Sequence, residues 1–403
     1  MNKLLILLLL VFSMGVSAQK KEIAQAKTNI KNGANLEAVE KSMRALLTDS
    51  ANRQNPKIWL LLHGAVKKQY DLGNEKLYLK QQYDTAQLFL IAKKMFDVLE
   101  SFDSIDAQPD QKGRIKPKYR KKHAALLDTY RQNIYSGGAY FIRKQRYKEA
   151  YSMYQTYLDC AHQPVFQDYR YIDADGKLPE AAYWAVYCGY KQNDPKQALK
   201  YAEWARQDTA HVQYLLQYLA ESYLMTGDTI KSVEYLKEGF SKYPTNTFFT
   251  PRLIDYYCDR QEFDTAMIIV DEAIRSHQDN WLYRFAKSTI CLNTGKYEEC
   301  IALCDELLMA EDTLADAYHN AGKAYYQLAL NKRNEVGLDR TRRQEYLELF
   351  RRALPYLERY RMLAPNATAK WALPLYTIYL NLNMGEEFEE MEKILNQQNT
   401  SKP

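Results

Sequence analysis

Residues Ala220–Pro244, AESYLMTGDTIKSVEYLKEGFSKYP, contain the pattern that decides the fold. A small residue, an aromatic residue, a glycine, a second small residue and a proline follow one another at Ala220, Tyr223, Gly227, Ser232 and Pro244. Similar residue classes recur at intervals of 34 residues in both directions along the chain. A fixed interval of this length is typical of a structural repeat made of two helices.

Five segments come into register when they start at Pro179, Gln213, Thr247, Trp281 and Ala315. The eighth position then holds Val186, Ala220, Ile254, Ser288 and Gly322. The eleventh position holds Gly189, Tyr223, Tyr257, Cys291 and Tyr325. The fifteenth position holds Asn193, Gly227, Gln261 and Gly295, and the twentieth holds Ala198, Ser232, Ala266 and Cys300.

This pattern resembles the tetratricopeptide repeat, a helix–turn–helix unit of the same length. The resemblance implies small residues at positions eight and twenty, where the two helices cross, and a left-handed residue near position fifteen, where the first helix ends. It extends to units that start near Gln19 and Arg131, and to about nine units in all. We therefore predict an all-α fold, a right-handed superhelical solenoid of antiparallel helix pairs.

The first 18 residues, MNKLLILLLLVFSMGVSA, combine a lysine, an apolar run and a small-residue end. This combination predicts a secretory signal peptide that is cleaved before Gln19, with an uncleaved N-terminal anchor as the alternative. We expect the protein to be exported, and to be periplasmic, associated with the outer membrane or secreted. No later segment is apolar for long enough to span a membrane, so no transmembrane segment is expected after cleavage.

The rest of the chain is predicted to be one continuous solenoid over residues 19–403. Its repeats are irregular over 19–178, regular over 179–330, and irregular with a terminal cap over 331–403. The net charge of +5 is small for a chain that is 26% charged, which argues against a nucleic-acid partner.

No catalytic motif is present in the sequence, so we predict that the protein is not an enzyme and that it has no cofactor and no metal site. The six histidines are dispersed, and no phosphate-binding loop or nucleophile motif occurs. The six cysteines occupy positions typical of interior packing. A disulfide or metal site among Cys291, Cys300 and Cys304 stays an open alternative.

The resemblance implies that fixed positions of each first helix line a concave groove. Carried onto this chain, these positions give Tyr183, Trp184, Tyr187, Tyr190, Tyr214, Gln217, Tyr218, Glu221, Phe248, Arg252, Asp255, His319 and Lys323. Aromatic side chains with a few polar neighbours bind extended peptides well and also stack on sugar rings. We expect a peptide or protein partner, with a glycan as the alternative. A further alternative is that the rings pack between repeats.

Two other features have open interpretations. A basic cluster comprises Lys112, Arg114, Lys116, Lys118, Arg120, Lys121 and Lys122, and it is either a solvated loop or a surface for an anionic partner. Tripeptides such as Asp-Thr-Ala at Asp84, Asp208 and Asp264 resemble an O-glycosylation acceptor of exported bacterial proteins. The alternative for these tripeptides is helix capping by the aspartate.

Overall fold

The computed structural model describes residues 19–335 and 340–400, so the predicted signal peptide lies outside the described residues. Within this part of the chain, every regular element is a helix, which confirms the all-α prediction. The chain divides into two compact units, unit 1 up to Ser232 and unit 2 from Val233. The continuity of the solenoid from one unit to the other stays a prediction.

Unit 1 contains the N-terminal irregular repeats and the first of the regular ones. Its helices are α1 (residues 19–32), α2 (Leu36–Leu46), α3 (Ser50–Arg53), α4 (Pro56–Tyr78), α5 (Thr85–Asp106), α6 (Arg120–Arg143), α7 (Tyr147–Asp159), α8 (Tyr171–Ala174), α9 (Leu178–Lys191), α10 (Pro195–Lys200), α11 (Ala202–Ala205) and α12 (Val212–Met225). A 3₁₀ helix covers Pro164–Phe166, and the boundary of the unit falls within α13 (Thr229–Lys242).

Unit 2 contains the remaining eight helices of the described residues. They are α14 (Phe249–Asp259), α15 (Phe263–Ser276), α16 (Trp281–Asn293), α17 (Tyr297–Ala310), α18 (Ala315–Asn334), α19 (Arg340–Leu363), α20 (Thr368–Leu382) and α21 (Gly385–Thr400). None of the helices in the described ranges has both the length and the apolar character that crossing a bilayer requires.

The turns of the regular repeats share one geometry. Position fifteen has a positive φ in four of the five repeats, at Asn193, Gly227, Gln261 and Gly295, whereas in the fifth it lies within α18. One residue later, the backbone N–H donates to the carbonyl of position eleven, as in Asp194 to Gly189 at 3.0 Å and Lys296 to Cys291 at 2.9 Å. This hydrogen bond satisfies a carbonyl that the end of the first helix leaves unpaired. The predicted left-handed helix end is therefore confirmed.

The crossing of each helix pair depends on small buried residues. Ala198 and Ala266 at position twenty are fully buried, as is Cys300. In the repeat of α9, the residue at position eleven must also be small. A Cβ on Gly189 would lie 2.3 Å from the backbone nitrogen of Ala198. The helices α9 and α10 thus approach each other most closely at Gly189, where the other repeats have tyrosine or cysteine.

The main departure from the pattern in unit 2 is compensated by ion pairs. Lys287 occupies a position where an apolar residue is expected. Its ammonium group lies 2.9 Å from a carboxylate oxygen of Asp271 and 3.0 Å from one of Glu299. The lysine can therefore lie half-buried without leaving an unpaired charge.

Helix capping accounts for several aspartates of the Asp-Thr and Asp-Ser tripeptides. Asp49 accepts the backbone N–H of Ala51, and Asp84 accepts that of Ala86. Such caps satisfy N–H groups at the start of a helix. Glycosylation of the neighbouring hydroxyl groups stays a prediction.

All six cysteines are free, and five of them are buried. Burial raises the pKa of the Cys188 thiol to about 12, so this thiol stays protonated at neutral pH. Cys291, Cys300 and Cys304 belong to one buried cluster in unit 2 with Ala317, Ala321 and other apolar residues. These placements agree with interior packing.

An arginine is enclosed between two tyrosines in unit 1. The guanidinium carbon of Arg131 lies 3.9 Å from the ring centroid of Tyr157 and 3.8 Å from that of Tyr171. The same group lies 2.5 Å from a carboxylate oxygen of Asp175, which also accepts the Tyr157 hydroxyl hydrogen at 2.7 Å. This cluster fixes the irregular segment between α7 and α9 onto α6.

Two neutral histidines lie between α4 and α6, where His123 is buried and His63 is half-buried. The rings of His63 and His123 have centroids 6.3 Å apart, and His63 Nε2 and His123 Nδ1 are buried without a hydrogen-bond partner. Burial, with smaller contributions from His123 and Lys67, lowers the pKa of His63 to about 4. Burial also lowers the pKa of His123, although Asp106 and Asp103 oppose this shift.

We expect stability to fall as the pH is lowered from about 6.5 to 4. The unfolded chain binds protons at His63 near its ordinary pKa of about 6.5, whereas the folded chain does not until about pH 4. The free energy of unfolding should therefore drop by roughly 2 kcal/mol across this range. Urea titrations at pH 7.5 and 4.5 measure this drop. A His63→Leu variant should lose much of it, and an unchanged drop in that variant would contradict the assignment.

Candidate partner-binding surface

Aromatic residues of α9 and α12 lie next to one another in unit 1. Trp184, Tyr187 and Tyr190 follow one another at three-residue steps, so they lie along one side of α9. Tyr214 and Tyr218 are four residues apart and share a side of α12. We call the cluster of Tyr183, Trp184, Tyr187, Tyr190, Tyr214, Tyr218 and His211 the aromatic surface.

Tyr218 joins the two helices of the aromatic surface. Its ring stacks on Tyr190 with centroids 4.7 Å apart and contacts Tyr187 at 5.6 Å. Tyr187 also makes edge contacts with Trp184 and with Tyr147 of α7, both at 5.8 Å. These contacts fix the ring orientations, so the surface is rigid before any partner arrives.

His211 extends the aromatic surface from the turn before α12. Its ring stacks on Tyr183 at 4.4 Å and contacts Trp184 at 5.7 Å. Its Nδ1 lies 2.7 Å from the buried carboxylate of Asp208, which can only accept a hydrogen bond. His211 Nδ1 therefore carries the hydrogen, and the imidazole plane is fixed against the two aromatic rings.

The predicted groove residues of unit 1 differ in exposure. Tyr183 is only 3% exposed, because His211, Trp184 and Tyr218 surround its ring. Its ring supports the surface from below and does not reach solvent, which corrects the expectation that it faces a ligand. Tyr214 is 53% exposed. The remaining members are half-buried, namely Trp184, Tyr187, Tyr190, Gln217, Tyr218 and Glu221. Some rings of the aromatic surface thus pack between repeats, whereas others are exposed and could contact a partner.

Polar groups border the aromatic surface. The indole N–H of Trp184 donates to Glu180 at 3.4 Å, and the Lys191 ammonium lies 5.6 Å from the Tyr187 ring centroid. Burial, followed by the Tyr147 hydroxyl, raises the pKa of Tyr187, so its hydroxyl keeps its hydrogen at neutral pH. The surface thus offers ring faces, hydroxyl donors and one charge of each sign.

The predicted groove residues of α14 lie in unit 2. The Arg252 guanidinium stacks on the Phe248 ring at 3.7 Å and donates to the Phe248 carbonyl at 3.1 Å. Asp255 is exposed and borders a mainly apolar cavity of about 380 Å³, which Leu282 and Phe285 of α16 also line. Partial desolvation of the carboxyl group beside this cavity, and the neighbouring Asp259, raise the pKa of Asp255. This cavity is a second, smaller candidate site.

His319 and Lys323 do not join a common open surface. His319 is buried, with its ring 5.0 Å from that of Tyr360, and burial lowers its pKa. The expectation that His319 faces a ligand is therefore corrected, because its imidazole packs in the interior of unit 2. Lys323 is half-buried, four residues further along α18.

The helices pack in the order that the repeat pattern requires. In unit 1, α9 contacts α7 and α12, and in unit 2, α16 contacts α15 and α18. Each first helix therefore contacts the second helix of the preceding pair and the first helix of the next pair. The regular helix pairs of this chain are packed in the way that tetratricopeptide repeats are. Within each unit, equivalent positions of successive first helices become neighbours, as Tyr187 and Tyr218 are.

Solved structures of tetratricopeptide-repeat proteins are similar to this chain. The C-terminal part of a repeat-containing protein from Cytophaga hutchinsonii has 12% identity and a TM-score of 0.46, over 66% of this chain and 96% of that chain. A repeat protein from Parabacteroides merdae has 12% identity and a TM-score of 0.39, over 66% and 98% of the two chains. The P58(IPK) repeat domain has 13% identity and a TM-score of 0.26, over 94% and 98%.

Neither a family model nor a curated protein matches the chain. The solved structures named above have TM-scores below 0.5, so the likeness carries no argument about what the chain binds. In the described residues of this repeat protein, no cluster of three or more histidine, cysteine or acidic side chains could hold a metal ion.

Three residues of the two candidate sites were not predicted from the repeat pattern. His211 and Asp208 lie in the turn before α12, outside the groove positions of the family. Leu282 borders the cavity of unit 2 and is 42% exposed. Leu282 is the second residue of its repeat, as the predicted groove residues Tyr214 and Phe248 are of theirs, so the pattern could have included it. No sequence signal points to His211, because its place depends on how the turn folds back onto α9.

Proposed function

We propose that this tetratricopeptide-repeat protein is a non-enzymatic interaction scaffold of the bacterial cell envelope. It holds an extended peptide segment of a partner protein on the aromatic surface of α9 and α12. The observation that carries the proposal is the exposure of Tyr214 next to the rigid ring cluster of Tyr218, Tyr187 and Tyr190. The envelope location is inferred from the signal-peptide pattern of residues 1–18.

The chemistry of the surface favours a peptide. Tyrosine and tryptophan side chains are frequent binding anchors, because they bury a large area and lose little conformational freedom. The exposed Tyr214 carries a hydroxyl donor, and a peptide backbone offers carbonyl acceptors along its whole length. Glu180 and Lys191 add one charge of each sign at the border, which suits a partner segment with charged side chains of both signs.

A glycan is the second candidate, and the exposed Tyr214 ring is the observation that favours it. A flat aromatic face stacks on the apolar face of a pyranose ring. The two candidates differ in their polar requirements. A sugar needs several directed hydrogen bonds around its ring, whereas a peptide segment also needs space for its alternating side chains.

We expect Tyr214→Ala to weaken peptide binding by at least tenfold, because removing an aromatic anchor at the centre of an interface costs about 2 kcal/mol or more. The probes are peptides selected from a random-sequence display library on the wild-type chain, and fluorescence anisotropy gives their dissociation constants. Tyr78→Ala is the matched control, since Tyr78 is an even more exposed tyrosine of unit 1. Circular dichroism should show unchanged helicity in both variants.

Two outcomes would count against the peptide proposal. One is that the selected peptides bind the Tyr214→Ala and Tyr78→Ala variants equally well. The other is that a glycan array, and no peptide, gives binding that depends on Tyr214. Tyr187 is a less suitable position for the test, because its ring also packs against Tyr147 and Trp184. Its loss would alter folding and binding together.

A further inference from the structure

The loop before α6 and the first turn of that helix carry the basic cluster of unit 1. The loop covers residues 107–119, and α6 begins at Arg120. The five lysines of the cluster are all exposed, at Lys112, Lys116, Lys118, Lys121 and Lys122. We call these lysines, together with Ile115, the basic surface.

The loop is held in one conformation by its own aspartate. The Asp110 carboxylate accepts the backbone N–H groups of Lys112 at 2.8 Å and Arg114 at 3.0 Å. Gly113 has a φ of +73° and donates its N–H to the Asp110 carbonyl at 2.8 Å. The lysines therefore project from an ordered turn and not from a flexible tail.

The acidic groups near the loop are already engaged. Asp110 forms two hydrogen bonds with the Arg114 guanidinium, at 2.9 and 2.7 Å. Asp103 pairs with Arg120 at 2.7 Å, and Asp106 accepts the Tyr119 backbone N–H at 2.8 Å. In the ranges 19–335 and 340–400, the structure gives the five lysines no ion pair. The five exposed lysines therefore give this loop and the start of α6 a local excess of positive charge, although the carboxylates of Asp106 and Asp168 lie near Arg120.

The stability of α6 does not explain this charge. Arg120, Lys121 and Lys122 occupy its first turn, where the positive end of the helix dipole disfavours cations. Acidic residues would stabilise that turn, and α6 has none there. The N-cap residue Tyr119 makes no side-chain capping hydrogen bond either. Lys121 and Lys122 are therefore placed at a cost to the helix, whereas the ion pair with Asp103 accounts for Arg120.

Ile115 distinguishes between two kinds of anionic partner. It is 60% exposed, and it stands between Arg114 and Lys116. A soluble polyanion offers an isoleucine nothing to pack against. The interface of a bilayer offers an apolar environment, because an apolar side chain can enter the region below the headgroups while neighbouring lysines contact the phosphates.

We propose that the basic surface docks unit 1 onto an anionic phospholipid bilayer, with the lysines at the headgroups and Ile115 at the interface. This proposal does not depend on the aromatic surface or on its partner. A lysine near an anionic membrane contributes about fivefold to the partition coefficient, so the five together give measurable binding although each alone is weak. Salt should weaken the binding, because it screens the attraction.

Vesicle sedimentation with the chain from Gln19 onward tests the proposal. The probes are vesicles of phosphatidylcholine alone and of phosphatidylcholine mixed with phosphatidylglycerol. We expect binding to the mixed vesicles only, and a loss of at least thirtyfold when all five lysines of the basic surface are changed to glutamine. Ile115→Ser should weaken vesicle binding severalfold at unchanged charge.

A matched control variant changes five other exposed lysines of unit 1 to glutamine, at Lys20, Lys21, Lys27, Lys31 and Lys41. It has the same net charge as the first variant and should keep most of the binding. An equal loss in both variants would overturn the proposal, since net charge alone would then explain the result. Binding to heparin without binding to vesicles would also overturn it, because Ile115 would have no role. The proposal would also be overturned if the unmodified chain did not bind the mixed vesicles.

Discussion

Arg131→Met is expected to lower the free energy of unfolding by about 3–5 kcal/mol. The guanidinium lies between the rings of Tyr157 and Tyr171 and pairs with Asp175, and its side chain is almost fully buried. Methionine replaces the volume but leaves the Asp175 carboxylate, which is itself mostly buried, without its cation. Breaking a buried pair from one side costs more than the pair contributes, because the remaining charge is uncompensated. Urea denaturation followed by circular dichroism measures the change.

Two further variants separate the charge from the packing. Arg131→Lys should lose less than Arg131→Met, because it keeps a cation near Asp175 although it cannot stack between two rings. The double variant Arg131→Met with Asp175→Leu should recover part of the lost stability, since no unpaired carboxylate remains. If the double variant is as unstable as the sum of its single changes, the ion pair is not the source of the effect.

Gly189→Val should cost about 3 kcal/mol, at the upper end of the range for overpacking. The nearest atoms to a Cβ at this position belong to the backbone of α10, at 2.3 Å for the nitrogen and 2.7 Å for the Cα of Ala198. A backbone cannot rotate away as a side chain can, so the two helices must separate. Thermal unfolding should show the loss as a lower Tm.

Gly176→Val is the control for this prediction. Gly176 is an exposed residue of the loop before α9, and nothing lies within 4 Å of a Cβ built on it. The control should leave the Tm nearly unchanged. Equal shifts for the two variants would mean that the close crossing of α9 and α10 does not set the stability of this repeat.

The repeat architecture was predictable because it depends on local chemistry at fixed intervals. A positive φ at Gln261 follows from its place in the register, although glutamine itself gives no sign of it. The features that the sequence did not predict are those that depend on tertiary contacts. The break at Tyr201 between α10 and α11 has no proline or glycine to announce it. The enclosure of Arg131 between Tyr157 and Tyr171 depends on contacts between segments that are distant in the sequence.

The candidate surface was predictable only in part. The register placed Trp184, Tyr187 and Tyr218 on neighbouring helices, and the structure brings their rings together. The repeat pattern could not predict the exposure of each ring, because exposure depends on which other residues cover that ring. Tyr183 is covered by His211, which lies outside the register. For the basic cluster, the residues were evident from the sequence, whereas the ordered turn and the engaged acids needed the structure.

The central claim is that the aromatic surface binds a polypeptide. The most direct measurement is photo-cross-linking with benzoylphenylalanine in place of Tyr214, compared with the same substitution at Tyr78. Both positions are exposed tyrosines of unit 1, so each tolerates the larger ring. In a bacterial envelope extract, position 214 should yield a cross-linked polypeptide that position 78 does not yield. The same products from both positions, or a glycan alone at position 214, would contradict the claim.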